Sequence, residues 1–516
     1  MGRSPACIAR TTIRAIRVKG DGIAYNFFEL NRDQQFLLPE NMRDWLPEGD
    51  LALFVIDAVE RMDLSAFYAS YRSDGWGAAA YDPRMMVALI IYSSCVGERS
   101  SRRIEKLCER DAGFRVICGN HVPDHTTISR FRKDNERAVS SLFGQILSLC
   151  AQAEMVKPSV LAVDGTKIKA SASLDKNRSH ASLKKEYEEL ARRILEEADR
   201  VDEEEDRIYG PDKRGDEVPE ELRDAEKRRA WIKEKLEEMN RQADEAAAEQ
   251  RKKIEEREGR RRDGEKKLGR NPLPPEVVRD RFLEKSKVNT TDPESRIMKS
   301  SKGYVQGFNA QAAVTEDQII VATYLTNEEA DWHLLHPMVE LAAENLEKAG
   351  VDHPIEGVVA DAGYGSEDNL KEAERLKEES LKEENASCPY FFVATKKDRV
   401  LARELAEAAA AEEEALKKDA ESGETAESRV PNEEVKEGAT ATERMEQKLK
   451  TAEGRETYAK RGKTVEPVFG QLKDARRFER FMRRGLEACK SEWSLMCMTH
   501  NLLKLWRLQT ATAENG

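Results

Sequence analysis

The chain has 516 residues and a formal net charge of −12, with 39% apolar and 36% charged residues. Average soluble domains carry about 45–50% apolar and about 25% charged residues, so globular cores must share this chain with long solvated segments. It contains no apolar run of the roughly 18 residues that a membrane-spanning helix needs.

Near the N-terminus there are basic residues but no apolar stretch of the kind that drives secretion, so no secretory signal is expected. The eight cysteines are scattered without the close paired spacing of a zinc site. A reducing cytoplasm is the simplest compartment. The acidic excess falls in the middle and late-middle of the chain and leaves local basic clusters elsewhere, and local potential decides whether a polyanion can bind.

Residues 1–155 are expected to form an N-terminal helical domain, with short helices over 51–155. Asp82-Pro83 starts one helix, with Asp as the cap and Pro at the first turn, before the apolar run Met85–Tyr92. Ser100 to Leu107 predicts a second helix with a basic face, including Arg102 and Arg103. Asp124 to Lys133 predicts a third, with hydroxyls and the cations Arg130, Arg132 and Lys133 suited to phosphate and base-edge contacts. On this segment alone, a capped surface helix with ordinary solvated charges is the favoured reading.

Ser159 to Thr166 switches to strand chemistry, a short β-rich run that fits a strand buried on both faces and carries Asp164 near its end. Residues 176–290 are charged and helical. Leu222, Ala225, Arg229, Ile232, Leu236, Met239, Ala243 and Ala246 alternate by 3 and 4 as a coiled-coil seam, and Leu183, Tyr187, Leu190, Ile194, Ala198 and Val201 form a looser one. Tyr209 to Asp212 breaks the two apart, which predicts an antiparallel helical hairpin without catalytic chemistry. Strands are expected at 303–314, 319–324, 357–361 and 390–394, with a helix from about Asp331 to Lys348. Residues 399–450, rich in Ala and Glu, read as a flexible or loosely helical insertion. Two helices are expected over 464–508, the last with Trp493, Met496, Leu502, Leu503 and Trp506 as its core stripe. Cys489 and Cys497 fall in that core, and His333 with His336 lacks neighbouring ligands for a metal.

Asp164 and Asp361 each follow an apolar run at a predicted strand end, where a carboxylate is costly to bury unless it is paired or holds a metal. Glu466 precedes Pro467 at a predicted helix start, among Lys460, Arg461, Lys463, Lys473, Arg476 and Arg477. Three acids from separated segments could converge on two divalent metals that activate an attacking oxygen and stabilise a leaving one.

The motifs V-D-G-T-K around Asp164, V-V-A-D-A-G-Y-G around Asp361 and Y-A-K-R-G-K-T-V-E-P-V-F-G-Q-L-K from Tyr458 to Lys473 resemble the DDE transposases of bacterial insertion sequences, the class with a C-terminal Tyr-Arg-Glu-Lys signature. The helical stretch from Tyr81 to Asn135 and Ser295 to Gln311 are also similar to that family. The resemblance implies an α/β fold: an RNase H-like mixed-sheet core made of residues 156–175, 291–398 and 451–510. An N-terminal all-helical DNA-binding domain precedes it, and a long helical insertion interrupts it. It implies Asp164, Asp361 and Glu466 as catalytic metal ligands for two Mg²⁺ ions, for which Mn²⁺ could substitute. It places Tyr458, Arg461 and Lys473 at the signature positions that contact DNA. Four residues separate Arg461 from Glu466, one more than the commonest pattern, which leaves the roles of Arg461 and Tyr458 open. The implied partner is double-stranded DNA, both transposon ends and target, bound by a homodimer on the bacterial nucleoid. A related metal-dependent nuclease and a non-catalytic DNA-binding derivative remain as alternative readings.

Overall fold

A computed structural model describes residues 15–20, 23–28, 41–69, 71, 80–193, 220–262, 271–300, 303–382, 388–422 and 438–515. The chain divides into two compact units, Met1–Asp50 and Leu51–Gly516. In the first, β1 (Ala15–Gly20) and β2 (Ile23–Phe28) pair antiparallel, a hairpin that the sequence reading did not anticipate.

The second unit opens with helices α1 (Leu51–Glu60), α2 (Ser65–Tyr68), α3 (Pro83–Cys95), α4 (Ser101–Arg110), α5 (Ala112–Ile117), α6 (His125–Asp134) and α7 (Glu136–Gln152). Asp82 and Asp124 accept hydrogen bonds from the backbone N–H groups of the first turns of α3 and α6, as their sequence positions predict. The helices expected as a separate domain pack within the same unit as the rest. Arg476 shows how: it is buried, and its guanidinium donates to Ser94 O at 2.8 Å in α3 and to Met496 O at 2.9 Å. Its loss of hydration lowers its pKa to about 10. Arg476 is therefore a structural tie and does not stand among the cations beside Glu466.

Beyond α7 come β3 (Val160–Lys169), the three-residue β4 (Asn177–Ser179), helix α8 over 180–193, α9 (Glu220–Arg262), α10 (Pro275–Lys285) and β5 (Lys287–Asn289), which pairs with β4. Leu183 of α8 packs with Ile232 and Met239 of α9 and Val288 of β5 in a small apolar cluster, with Tyr187 and Leu190 against it. Arg228 pairs with Glu186 at 3.0 Å. The seam residues Ile232, Met239 and Ala243 are buried, and α10 supplies a further helix not foreseen, with Arg279 paired to Asp244 of α9 at 2.6 Å. The expected break at Tyr209–Asp212 and the seam residues Ile194, Ala198 and Val201 lie outside the described residues.

The centre of the unit is one six-stranded mixed sheet completed by β6 (Arg296–Ser300), β7 (Gly303–Thr315), β8 (Ile320–Thr326), β9 (Gly357–Ala360) and β10 (Tyr390–Val393). Its order is β10-β9-β3-β7-β6, with β8 also on β7. Strands β10, β9 and β3 run parallel, whereas β7 is antiparallel to β3, β6 and β8. Every strand expected from the sequence is in this sheet, and β6 is an addition. Apolar runs such as Val160–Val163 and Gly357–Ala360 are buried in it, as strands covered on both faces must be.

The remaining helices are α11 (Leu335–Lys348), α12 (Glu367–Ser380), α13 (Asp398–Ser422), α14 (Ala441–Lys450), α15 (Ala452–Gly470) and α16 (Leu486–Asn515). The described part of 399–450, expected to be flexible or loosely helical, forms helices α13 and α14. Thr440 and Glu443 form a reciprocal capping box on α14, and Met445 and Leu449, one turn apart, are buried. Helix α16 buries Trp493, Met496 and Leu502, with Leu505 completing the stripe in place of Leu503 and Trp506, which are half-buried. Cys489 and Cys497 are fully buried there. Among the described residues no helix is long and apolar enough to cross a membrane.

Candidate active site

Asp164 lies on the central strand, hydrogen-bonded on one side to β9 and on the other to β7. Strand β3 runs on to Lys169, so Asp164 stands mid-strand rather than at its end. On β9, Ala360 pairs with Val163, which brings Asp361, the next residue, beside Asp164. Glu466 arrives from α15, which packs against β3, β9 and β7.

Arg461, also on α15, joins the three acids. Its Nη2 donates to Asp164 Oδ2 at 2.9 Å and lies 4.0 Å from Asp361 Oδ2, while its Nη1 is 3.5 Å from Glu466 Oε1. Arg461 and Asp164 are both buried, whereas the Glu466 side chain is 60% exposed. Burial pushes the Asp164 carboxyl up to about 7. Arg461 and the Gly165 N–H pull it down, while Asp361 and Asp331 push it further up. One guanidinium thus faces three carboxylates, an excess of negative charge that a cation would relieve.

Helix α15 corrects one expectation. Glu466 does not open a helix, because α15 spans Ala452–Gly470 and holds both Glu466 and Arg461. Pro467 sits inside that helix and cannot donate to Lys463 O. Gln318 takes the vacated place and donates to that carbonyl at 3.0 Å. After Gly470 the chain makes one wider, π-helical turn, Gln471–Ala475. Lys473 falls in this turn, and its Nζ meets the Thr166 hydroxyl. Thr166 is two residues beyond Asp164 and on the same face of β3. Tyr458 is half-buried on α15, one turn before Arg461.

The opposite face of β3 carries residues that the sequence reading missed. Gly165 and Lys167 point to this side, opposite Gln311 and Asn309 of β7. Asp331 accepts hydrogen bonds there from Asn309 Nδ2 at 2.6 Å, Gln311 Nε2 at 2.7 Å and Lys167 Nζ at 3.1 Å. The buried Tyr364 hydroxyl donates to Gln311 Oε1. The available signal was Asn309 and Gln311 themselves, two polar residues with a strand's period of two inside an apolar run.

A second cluster lies between α4, α6 and the segment before α16. A cleft of about 850 Å³ is lined by Arg102, Arg130 and Lys133 together with Ser101, Ser129 and Arg483. Its wall is tied to the end of β3, because Phe481 N–H donates to Lys169 O at 2.8 Å. Arg103 is exposed beside it, 3.6 Å from Glu98. Arg132 lines the same cleft, but its Nη1 donates to Arg99 O at 2.7 Å, and its Nε and Nη2 are buried away from solvent. His333 and His336 do not share a ligand, since His333 meets Glu328 and His336 meets Asn369 O.

Two sequence families match the chain. One is the transposase domain (DUF772), over residues 40–134, and the other is the transposase DDE domain, over residues 419–506. The first covers the helices that line the basic cleft. The second contains Arg461, Glu466 and Lys473, whereas Asp164 and Asp361 lie outside it. The matches support a DDE transposase of an insertion sequence, and a DDE transposase domain implies an RNase H-like fold. No curated protein and no solved structure gives a significant match.

Proposed function

We propose that the protein is a metal-dependent DNA transposase, which cuts DNA at insertion-sequence ends and joins the freed 3′ ends to a target. The observation that carries this reading is the gathering of Asp164, Asp361 and Glu466 around one guanidinium, on two adjacent parallel strands and the helix that covers them.

The donor set suits a hard dication: carboxylate oxygens in excess of the local positive charge. Among the described residues no group of three or more His, Cys, Asp or Glu is already drawn together as a metal cluster, and Arg461 lies where the carboxylates meet. Asp164, Asp361 and Glu466 would hold Mg²⁺, two ions by the family's pattern, with Mn²⁺ as a substitute. Bound there, the metal supplies charge stabilisation at the phosphodiester and lowers the pKa of the attacking hydroxyl.

The chain's own groups do the rest. Arg461 balances the buried Asp164 and keeps the acids together before substrate arrives. Lys473, beside Thr166, offers a cation to a backbone phosphate next to the carboxylates. The basic cleft between α4 and α6 holds the duplex through Arg102, Arg130 and Lys133, with Arg103 at its rim. The substrate is double-stranded DNA in the cytoplasm, bound by two copies of the chain on paired ends, as the family implies.

The test is incubation of the full chain with DNA carrying the ends of its own element and a target plasmid, with Mg²⁺ or with EDTA. Mg²⁺-dependent 3′-hydroxyl ends together with joined products are expected. Cutting without joining would instead indicate a nuclease, and no cutting in Mg²⁺ would contradict the reading.

A further inference from the structure

Asp331 stands just before the helical turn Trp332–Leu334, where an aspartate would ordinarily cap the helix. It makes no capping hydrogen bond. Its side chain turns to the sheet instead, where Asn309, Gln311 and Lys167 all donate to Oδ1. Oδ2 lies 3.3 Å from Lys167 Nζ.

Two glycines leave the gap through which this carboxylate faces the candidate catalytic acids. At Gly363, the position a Cβ would take is 3.0 Å from Asp361 Oδ1 and 3.4 Å from Asp331 Oδ2. At Gly165, next to Asp164, that position is 3.0 Å from Asp331 Oδ1 and 2.1 Å from Gln311 Nε2. Any larger residue at 165 would displace Gln311 and close the space. Asp164 and its partner Arg461 occupy one face of β3, and Asp331 occupies the other.

We propose that Asp331 is a positioning residue of the centre, a fourth carboxylate. From behind the sheet it adds its charge to that of Asp164 and Asp361 and strengthens their hold on a divalent cation. The inference rests on the metal-binding reading of the site given above. Asn309 and Gln311 fix its direction, and Lys167 offsets part of its charge.

The test is calorimetric titration of Mn²⁺ into the full chain, comparing wild type with Asp331→Asn, Lys167→Met and Asp361→Asn. Groups beyond the direct ligands typically change metal affinity by about 10–100-fold. Asp331→Asn should weaken Mn²⁺ binding about tenfold, and Lys167→Met should tighten it by removing the competing ammonium. A purely structural Asp331 would lower the melting temperature of both variants without these opposed shifts. Wild-type affinity in Asp331→Asn, with binding lost in Asp361→Asn, would overturn the inference and leave the metal site standing. Wild-type affinity in all three variants would overturn the metal reading itself. If Asp331→Asn does not fold, Lys167→Met decides: unchanged or weaker Mn²⁺ binding in it overturns the proposal.

Discussion

Arg461 donates to Asp164 across 2.9 Å although 297 positions separate the two in sequence. The contact joins the helix that carries Glu466 to the central strand of the sheet. It also makes Arg461 the cation that balances Asp164 beside the Gly165 N–H, and removing one partner of a buried ion pair is strongly destabilising, by about 3–5 kcal/mol.

Arg461→Gln is therefore expected to lower the stability of the metal-free protein by a few kcal/mol. Asp164→Asn should cost much less, and the double variant should recover most of the loss in Arg461→Gln. Urea unfolding of the four proteins in EDTA measures this. Additive effects would show that the pair is not coupled.

The two strands that bring Asp164 and Asp361 together were legible because each is an apolar, β-branched run followed by a carboxylate and a small residue. Asp331 was not, since an acid ahead of a helix is the ordinary signal for a cap, and only the fold shows the side chain used elsewhere. Arg476 was placed among the cations beside Glu466 because sequence gives charge without burial. Met445 and Leu449 were hidden by the Ala- and Glu-rich composition around them, although their spacing of four is a helical face. Lys473 stands on a single widened turn, for which the sequence carried no recognised mark.

The packing of Met445 and Leu449 decides the outcome of shortening the 399–450 region. Removing 405–445 would take away half of α14, including Met445, so loss of folding is expected rather than a silent deletion. Leu449→Ala alone should cost about 2–5 kcal/mol, as for other buried leucines. A melting curve unchanged from wild type would contradict the placement of α14.

The basic cleft separates binding cations from structural ones. Arg102→Ala, Arg130→Ala and Lys133→Ala together should weaken DNA binding and flatten its salt dependence, by about 0.9 in slope for each phosphate no longer neutralised. Arg132→Ala should instead lower thermal stability, because Arg132 is held by Arg99 O. Fluorescence anisotropy at several salt concentrations, with melting curves alongside, distinguishes the two. An unchanged slope in the triple variant would remove the cleft from the DNA path.

Acid stability should report on His500. Burial lowers its pKa to about 4, while its ring contacts Gln318 O at 2.9 Å and Arg476, Lys504 and Arg507 add positive potential. Unfolded histidine titrates near 6.5. As pH falls from about 6.5 to about 4, the unfolded chain takes up a proton that native His500 refuses, so its contribution to stability is lost across that window. Asp164 acts in the opposite sense. Its carboxyl, raised to about 7, stays protonated in the native state after the unfolded one ionises, so its contribution declines as pH rises from about 4 to about 7. His500→Gln keeps a donor for Gln318 O and should gain stability relative to wild type as the solution is acidified. A difference between the two proteins that does not vary between pH 7 and 4 would refute the assignment.

Lys473→Ala should reduce cleavage less than loss of any of the three acids, mainly by raising KM, because its ammonium sits beside Thr166 rather than among the carboxylates. Steady-state cleavage of a DNA-end substrate reads this. A fall in kcat as deep as that of the acid variants would place Lys473 at the reacting phosphate.

The most direct measurement of the central claim is Mg²⁺-dependent cleavage and strand transfer by Asp164→Asn, Asp361→Asn and Glu466→Gln, with DNA binding measured on the same preparations. Each substitution keeps the shape and removes one negative charge. All three should bind the DNA ends as wild type does while cleavage and joining are abolished. If any one of them cuts and joins at close to the wild-type rate, that residue is not part of the catalytic centre, and the convergence of the three acids on Arg461 has another purpose.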